Sequence, residues 1–389
     1  MLLSYLVYIS FALVLFALGW HVNSRENKRF NASNRELPFY SWEILASILV
    51  ITIVMGLRFK TGSDYLMYWT EYLQVGKGYG FSRDGGYEIG YEIITRLFAF
   101  LKLHYFYYFA FWGLIQATLL YYGLRHHKYL LPWMGLLLVL GPYSINWFSF
   151  MRQWVVTCAF VPMIYLIYQK KLVVYILCVL LLSTIHLSAL LLLILYFIPF
   201  KRLANYTTSK YFVIYIIMIL LGIKPLWVIL FKPLIPLLSL LKYDRYVNMF
   251  TELINGNYRM IAWGALHLIT IFGQIIIIFY YNKVREFRKN DKLIPIYFGL
   301  AFIAICYNNL FNNTVHFFLR PVELLYIFIL IMLAYTYDYL YNKKRYWELI
   351  ISVLPLISYV LINVIKSHLN PANPMSEIIN YHFFFLYSL

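Results

Sequence analysis

Apolar runs of about twenty residues recur along nearly the whole chain, and that recurrence restricts its fold more than any single residue does. A helix needs roughly 20 residues to cross the ~30 Å hydrocarbon core of a bilayer. Backbone in lipid must satisfy its own hydrogen bonds, so repeated runs of this length predict a bundle of membrane helices. Composition agrees, because 62% of the 389 residues are hydrophobic and 13% charged, which is too little polar surface for a soluble chain. The expected fold is an all-α polytopic membrane protein, a single domain over residues 1–389.

A net charge of +17 in a soluble chain would point to nucleic acid. Here Lys and Arg gather in short inter-helix loops, as positive-inside topology requires, and no compact basic domain exists. No nucleic-acid partner is expected. Cys158, Cys178 and Cys306 fall in apolar segments without metal-like spacing and read as small buried hydrophobes. Residues 1–20 lack a basic n-region and a small-residue cleavage site, so they read as a retained first helix.

The charges also set a topology. Span 2–20 is followed by Arg25, Lys28, Arg29 and Arg35, which puts that loop inside and the N-terminus outside. Span 40–57 returns to the outer face and opens a long external segment, about 58–104. Within it, 87–103 reads as a helix lying at the interface or dipping into the membrane. Spans follow at 105–124, 130–147 and 152–169. A single helix between Lys171 and Lys201 would be about 44 Å long and would set Lys170 and Lys171 opposite Lys201 and Arg202. Two short helices meeting near His186, in "STIHLS" (183–188), keep both basic pairs inside. An extra span at 225–241 is the other way to restore the charge bias. Segment 211–223 leads to a second external segment, about 224–257. Spans at 258–281, 293–311, 318–339 and 347–365 bring the expected count to about twelve.

Sorted by side, the external face carries arginines that topology disfavours: Arg58, Arg83, Arg96, Arg152, Arg245, Arg259 and Arg320. Ionisable groups near membrane depth are costly and usually face a cavity or a partner. Guanidinium groups bind phosphate oxygens bidentately and keep their charge. Tyr and Trp on the same side offer flat faces for sugar rings, among them Tyr65, Tyr68 and Trp69 in "MGLRFKTGSDYLMYW" (55–69). Together these suggest a lipid-linked sugar diphosphate handled at the outer face.

Each residue also has a plainer reading. Arg152, in "FMRQW", either snorkels to headgroups or binds phosphate. Arg320 either pairs with Glu323 or faces the ligand. His186 is a packing residue or a general base, and Asp64 a turn residue after Gly62 or a proton acceptor. Glu88 and Glu92 read as solvent-facing or helix-capping. "YNNLFNNTVH" (307–316), ending at His316, suits either sugar hydroxyls or an ordinary polar loop. There is no Walker loop, paired Cys or His metal site, or nucleophile elbow in the sequence, which demotes ATP-driven transport and metalloprotease chemistry.

Four patterns occur in order: "RFKTGSDYLMY" (58–68), Arg152–Gln153, "HLSA" (186–189) and "RPVELLY" (320–326). With the ending "NPMSEIINYHFFF", this resembles the EpsG family, within the Wzy-type polysaccharide polymerases that include O-antigen polymerases. The resemblance covers most of the chain, although "WVVTCA" after Arg152–Gln153 departs from the expected pattern. It implies a multi-pass protein of the bacterial inner membrane with its active site facing the exterior and a helical bundle of the GT-C class. The implied glycosyltransferase moves a growing undecaprenyl diphosphate-linked glycan onto a new lipid-linked repeat unit, without nucleotide sugar, metal or cofactor. Arg152 and Arg320, with Arg58 as third contact, are assigned to the diphosphate. His186 or Asp64 is the base, and Tyr65, Tyr68, Gln153 and His316 contact sugar. Implied partners are membrane lipid, the lipid-linked oligosaccharide, a flippase and a chain-length regulator. The competing readings are a lipid-linked oligosaccharide flippase or other transporter, which should show an internal repeat, and an O-antigen ligase or polyprenyl phosphate-dependent sugar transferase.

Overall fold

The computed structural model describes residues 2–33, 37–82, 86–223, 232–240, 247–248, 251–252, 255, 264–313, 319–370 and 378–386. Helix is the dominant element, and among the described residues the strands are two short ones, β1 (Arg58–Phe59) and β2 (His382–Phe383), paired antiparallel. Among the described residues, five helices are long and apolar enough to cross a membrane: Leu2–Arg29, Met151–Tyr168, Ala265–Phe287, Ile294–Phe311 and Tyr346–Leu369. Four shorter apolar helices of 10–17 residues, Trp42–Leu57, Lys128–Leu140, Leu172–Ser183 and Thr208–Ile223, stand where further spans are expected. Large apolar side chains such as Leu13, Leu49, Val173, Leu181 and Leu354 are exposed, the pattern of helices solvated by lipid. The protein is a multi-pass, predominantly helical membrane protein.

By contacts the chain forms two compact units, Met1–Ile198 with Leu330–Leu389, and Pro199–Ile329. In the first, α1 (Leu2–Ser33) packs on α6 (Leu131–Leu140), α2 (Trp42–Leu57) on α5 (Tyr105–Gly123), and α5 on α8 (Met151–Tyr168). The α1–α6 crossing is tight. A Cβ at Gly19 would lie 2.6 Å from the backbone of Leu131 and Pro132, so only glycine lets the backbones approach this closely. At the basic end, the Glu43 carboxylate of α2 accepts from Arg25 Nη1 at 2.6 Å and contacts His21 Nδ1 at 2.8 Å, tying α1 to α2.

The segment 58–104 carries α3 (Tyr65–Gly76) and α4 (Ile89–Phe100). Helix α4 buries Tyr91, Thr95 and Ala99 on one face and exposes Ile89, Ile93, Leu97 and Phe100 on another. A short helix with an apolar outer stripe suits a position in the membrane interface, as expected for 87–103. Helix α9 (Leu172–Ser183) stops at Thr184, and a 3-10 turn resumes at Leu187. The break falls where the charge argument put it. The carbonyl of Thr184 is not lost to the helix end, because it accepts the amides of Gly90 at 2.8 Å and Tyr91 at 3.3 Å.

In the second unit, helix Thr208–Ile223 packs on Ile294–Phe311 around a buried amide network. Gln274 Oε1 accepts from Tyr215 Oη at 3.0 Å and from Asn309 Nδ2 at 2.9 Å, while Tyr326 Oη donates to Asn308 Oδ1 at 2.9 Å. The asparagines at the start of the 307–316 stretch thus hold helices together. Most of 224–257, expected from the sequence to be a second external segment, lies outside the described residues.

Candidate functional site

The chain turns sharply after α2. Gly62 has φ +97°, and a Cβ there would stand 2.4 Å from the carbonyl oxygen of Phe148. A side chain is therefore excluded twice, by dihedral and by space. The turn lies against α7 (Ser144–Ser149), where Ser149 Oγ accepts the Ser63 amide at 3.0 Å. The C-terminal segment closes the other side. Ile378 O accepts the Gly62 amide at 2.8 Å, Asn380 O accepts Thr61 Oγ1 at 2.9 Å, and β2 pairs with β1. Tyr381 Oη donates to Val54 O at 2.6 Å, and Tyr8 Oη donates to Ile379 O at 2.8 Å.

This clamp holds Arg58 in the interior, 2% exposed. Its guanidinium donates to Phe148 O and, at 3.4 Å, to Thr61 O. The rings of Phe109, Tyr65 and Phe148 lie 5.4–5.6 Å from the guanidinium carbon. No carboxylate among the described residues forms an ion pair with it. Burial lowers its pKa to about 10, so the group remains a cation at neutral pH.

Arg152 opens α8 and is also buried, 6% exposed. Gln116 fixes the start of that helix, donating from Nε2 to Met151 O at 2.7 Å and accepting Trp147 Nε1 at 2.8 Å. The guanidinium forms an ion pair with Glu88. It lies 4.7 Å from the Tyr91 ring centroid, 4.9 Å from Tyr87 and 6.0 Å from Tyr68, within cation–π range. The other Glu88 oxygen accepts the Leu187 amide at 2.9 Å. Burial raises the Glu88 pKa, but the Arg152 charge and the Leu187 N–H outweigh it, and the net shift is downward. The approach to Glu88 is itself braced: Glu92 accepts the Tyr87 amide at 2.8 Å, and the buried Glu71 accepts the Ser82 amide at 3.1 Å and Tyr87 Oη at 3.2 Å.

His186 stands next to this pair. Its Nδ1 accepts the Ser188 amide at 3.3 Å and contacts Ser188 Oγ at 2.6 Å. An amide can only donate, so the neutral ring carries its proton on Nε2. Asp64 precedes α3, half-buried, and accepts Ser63 Oγ at 2.9 Å. Both Arg152 and Asp64 bear electrostatically on Tyr68; burial raises the Tyr68 pKa despite the arginine.

The first unit thus holds seven of the nine sequence-expected site residues: Arg58, Asp64, Tyr65, Tyr68, Arg152, Gln153 and His186. Glu88 links two of them, touching Arg152 and the turn that begins at His186. Tyr65 is fully buried with its ring stacked on Phe109 at 4.6 Å, and Tyr68 is 3% exposed, so both rings line the arginines with no face open to solvent. Gln153 is buried beside Arg152 on α8. Arg320 opens helix Arg320–Glu323 in the second unit, with its side chain exposed. His316 lies outside the described residues. Glu88, read from sequence as solvent-facing or capping, does stand at the N-cap of α4, but its carboxylate turns inward to Arg152. Its one sequence signal was its place in "GGYEIGYE", between glycines and before an amphipathic run.

The EpsG family model matches residues 42–383. That span takes in the site from the α2 exit to β2, with Tyr8 of the clamp lying before it. No curated protein and no solved structure matches the chain.

Proposed function

Since the chain belongs to the EpsG family, a Wzy-type polysaccharide polymerase family, we propose that it transfers a growing undecaprenyl diphosphate-linked glycan onto a new lipid-linked repeat unit at the outer face of the bacterial inner membrane. The observation that carries this reading is the pair of buried guanidiniums, Arg58 and Arg152, held at the ends of apolar helices by backbone carbonyls, tyrosine rings and one carboxylate. Buried charge is expensive, and a fixed cation in such a place suits an anionic group that comes and goes.

In the proposed reaction an acceptor hydroxyl oxygen attacks the anomeric carbon of the growing chain. The bond from that carbon to the diphosphate oxygen breaks, and undecaprenyl diphosphate leaves with the electron pair. Arg152 meets the diphosphate by exchanging Glu88 for phosphate oxygens, and Arg58 supplies further positive charge. Asp64 takes the proton from the acceptor hydroxyl. His186, with Nδ1 engaged by Ser188, serves as a hydrogen-bond donor from Nε2 to the leaving group. Gln153 and the tyrosines order the site around the sugar, the bundle is of the GT-C class, and neither nucleotide sugar nor metal takes part.

The test uses cells lacking the protein, complemented with wild type, Arg152→Ala or Arg320→Ala, and a gel of lipid-linked and surface polysaccharide. A ladder restored by wild type, over a persistent single-repeat band with the variants, is the expected result. A deletion strain in which the single repeat never reaches the outer face would instead identify a flippase and overturn the assignment.

A further inference from the structure

A cavity of about 280 Å³ opens beside the Arg58 clamp, between α7, the C-terminal end of helix Tyr346–Leu369 and the segment leading to β2. Its polar wall is made of Asn146, Asn363, Lys366, Ser367 and Asn370, and Tyr359 adds an aromatic surface. The volume is just below the range of drug-sized ligand pockets, roughly 300–1,000 Å³, and suits one sugar ring. We infer that this cavity is a subsite for a sugar ring bearing an acidic substituent, the ring hydroxyls meeting the amides and the carboxylate meeting Lys366.

Three observations support it. First, the wall combines amides, which both donate and accept, with one cation, and no carboxylate is among the described residues lining it. A neutral sugar asks for strong acceptors for its hydroxyls, whereas an acidic one asks for a cation. Second, Lys366 is at the end of its helix opposite Lys343, Lys344 and Arg345. The positive-inside rule puts that basic end inside and leaves Lys366 at the outer face, where topology does not explain it. Third, the cavity shares its walls with the Arg58 clamp. Asn146 is in α7, whose Phe148 carbonyl accepts Arg58, and Ile378 and Ile379 carry the carbonyls that hold Gly62 and Tyr8. A ring bound here is next to the proposed diphosphate region, as one residue of a glycan would be. The choice of a sugar as ligand rests on the polymerase reading, whereas the cavity itself does not.

Saturation-transfer NMR on the full chain in lipid nanodiscs tests this, with glucuronate and glucose as probes and farnesyl diphosphate as an independent probe of the arginines. The expected result is a stronger signal for glucuronate than for glucose. Lys366→Gln and Asn363→Leu should each lower the glucuronate signal at least five-fold and leave that of farnesyl diphosphate unchanged. Asn363 Nδ2 bonds only within its own helix, to Tyr359 O at 3.1 Å, so leucine there should keep the fold and preserve the test if Lys366→Gln does not. A glucuronate signal that is absent, equal to that of glucose, or unmoved by both substitutions overturns the inference. Selective glucuronate binding without any farnesyl diphosphate signal would instead sink the polymerase reading and leave the subsite standing.

Discussion

Arg152 and Glu88, 64 positions apart in the chain, form an ion pair at the start of α8, and the second Glu88 oxygen accepts the amide of Leu187. One carboxylate therefore joins three separate segments: the head of an interior helix, the entry to α4 and the break after α9. Two arginines of the first unit are held in opposite ways, Arg152 by a carboxylate and Arg58 by carbonyls and rings.

Removing the Arg152 guanidinium should abolish polymer formation. Arg152→Ala is expected to lower the rate at least 100-fold, the scale for losing one preorganised transition-state donor. Arg152→Lys keeps the charge but not the planar fork, and should retain partial activity with a shortened ladder. Wild-type ladders from both variants would rule out a diphosphate role.

Glu88→Gln removes the counter-charge while keeping the shape. It should cost about 1–3 kcal/mol of stability, because a buried guanidinium is left with a weaker acceptor. The pH dependence has a definite sign. The Glu88 pKa is lowered in the folded protein, so its contribution is present above the unfolded value, about 4.3, and is lost as pH falls through the lower folded value. Thermal melts of wild type should lose stability over that acidic window. The variant should show a smaller acid loss, and identical curves would count against the pair.

Asp64→Asn should lower turnover by about 10²–10⁴, the range for a general base, with little change in melting temperature because the side chain is half-buried and the amide oxygen of asparagine can still accept Ser63 Oγ, as the carboxylate does at 2.9 Å. The residual rate should lose the acidic limb of the wild-type pH profile. Full-length polymer at the wild-type rate would remove Asp64 from the mechanism.

Gly62→Ala should destabilise the fold by at least about 2 kcal/mol, since a non-glycine residue at positive φ is strained and its Cβ would collide with the Phe148 carbonyl. Tyr381→Phe on the opposite side of the clamp deletes one hydrogen bond to Val54 O and should cost about 1 kcal/mol. Denaturation in detergent compares the two, and a neutral Gly62→Ala would mean that the turn is not held as described.

The membrane bundle was legible in the sequence because hydrophobic length is a local property: runs such as 151–168 and 346–369 satisfy their own backbone and need no distant partner to be helical. The break near His186 was legible for a similar reason, since the basic pairs flanking 172–200 constrain it through their position alone. The residues in "RFKTGSDYLMY" pointed to a polar end of the second span, with a turn after Gly62 as one of two readings of Asp64. Their surroundings were not legible. Tyr65 looked like an open ring and is instead stacked on Phe109, because α5 covers it. Glu88 looked like a surface cap and instead meets an arginine from α8. Nor did anything local reveal that Arg58–Phe59 would pair with His382–Phe383, more than 300 positions away. Charge placement and helix length are written residue by residue, whereas the partners of a buried arginine depend on which loop ends the packed helices bring together, and only the tertiary structure decides that.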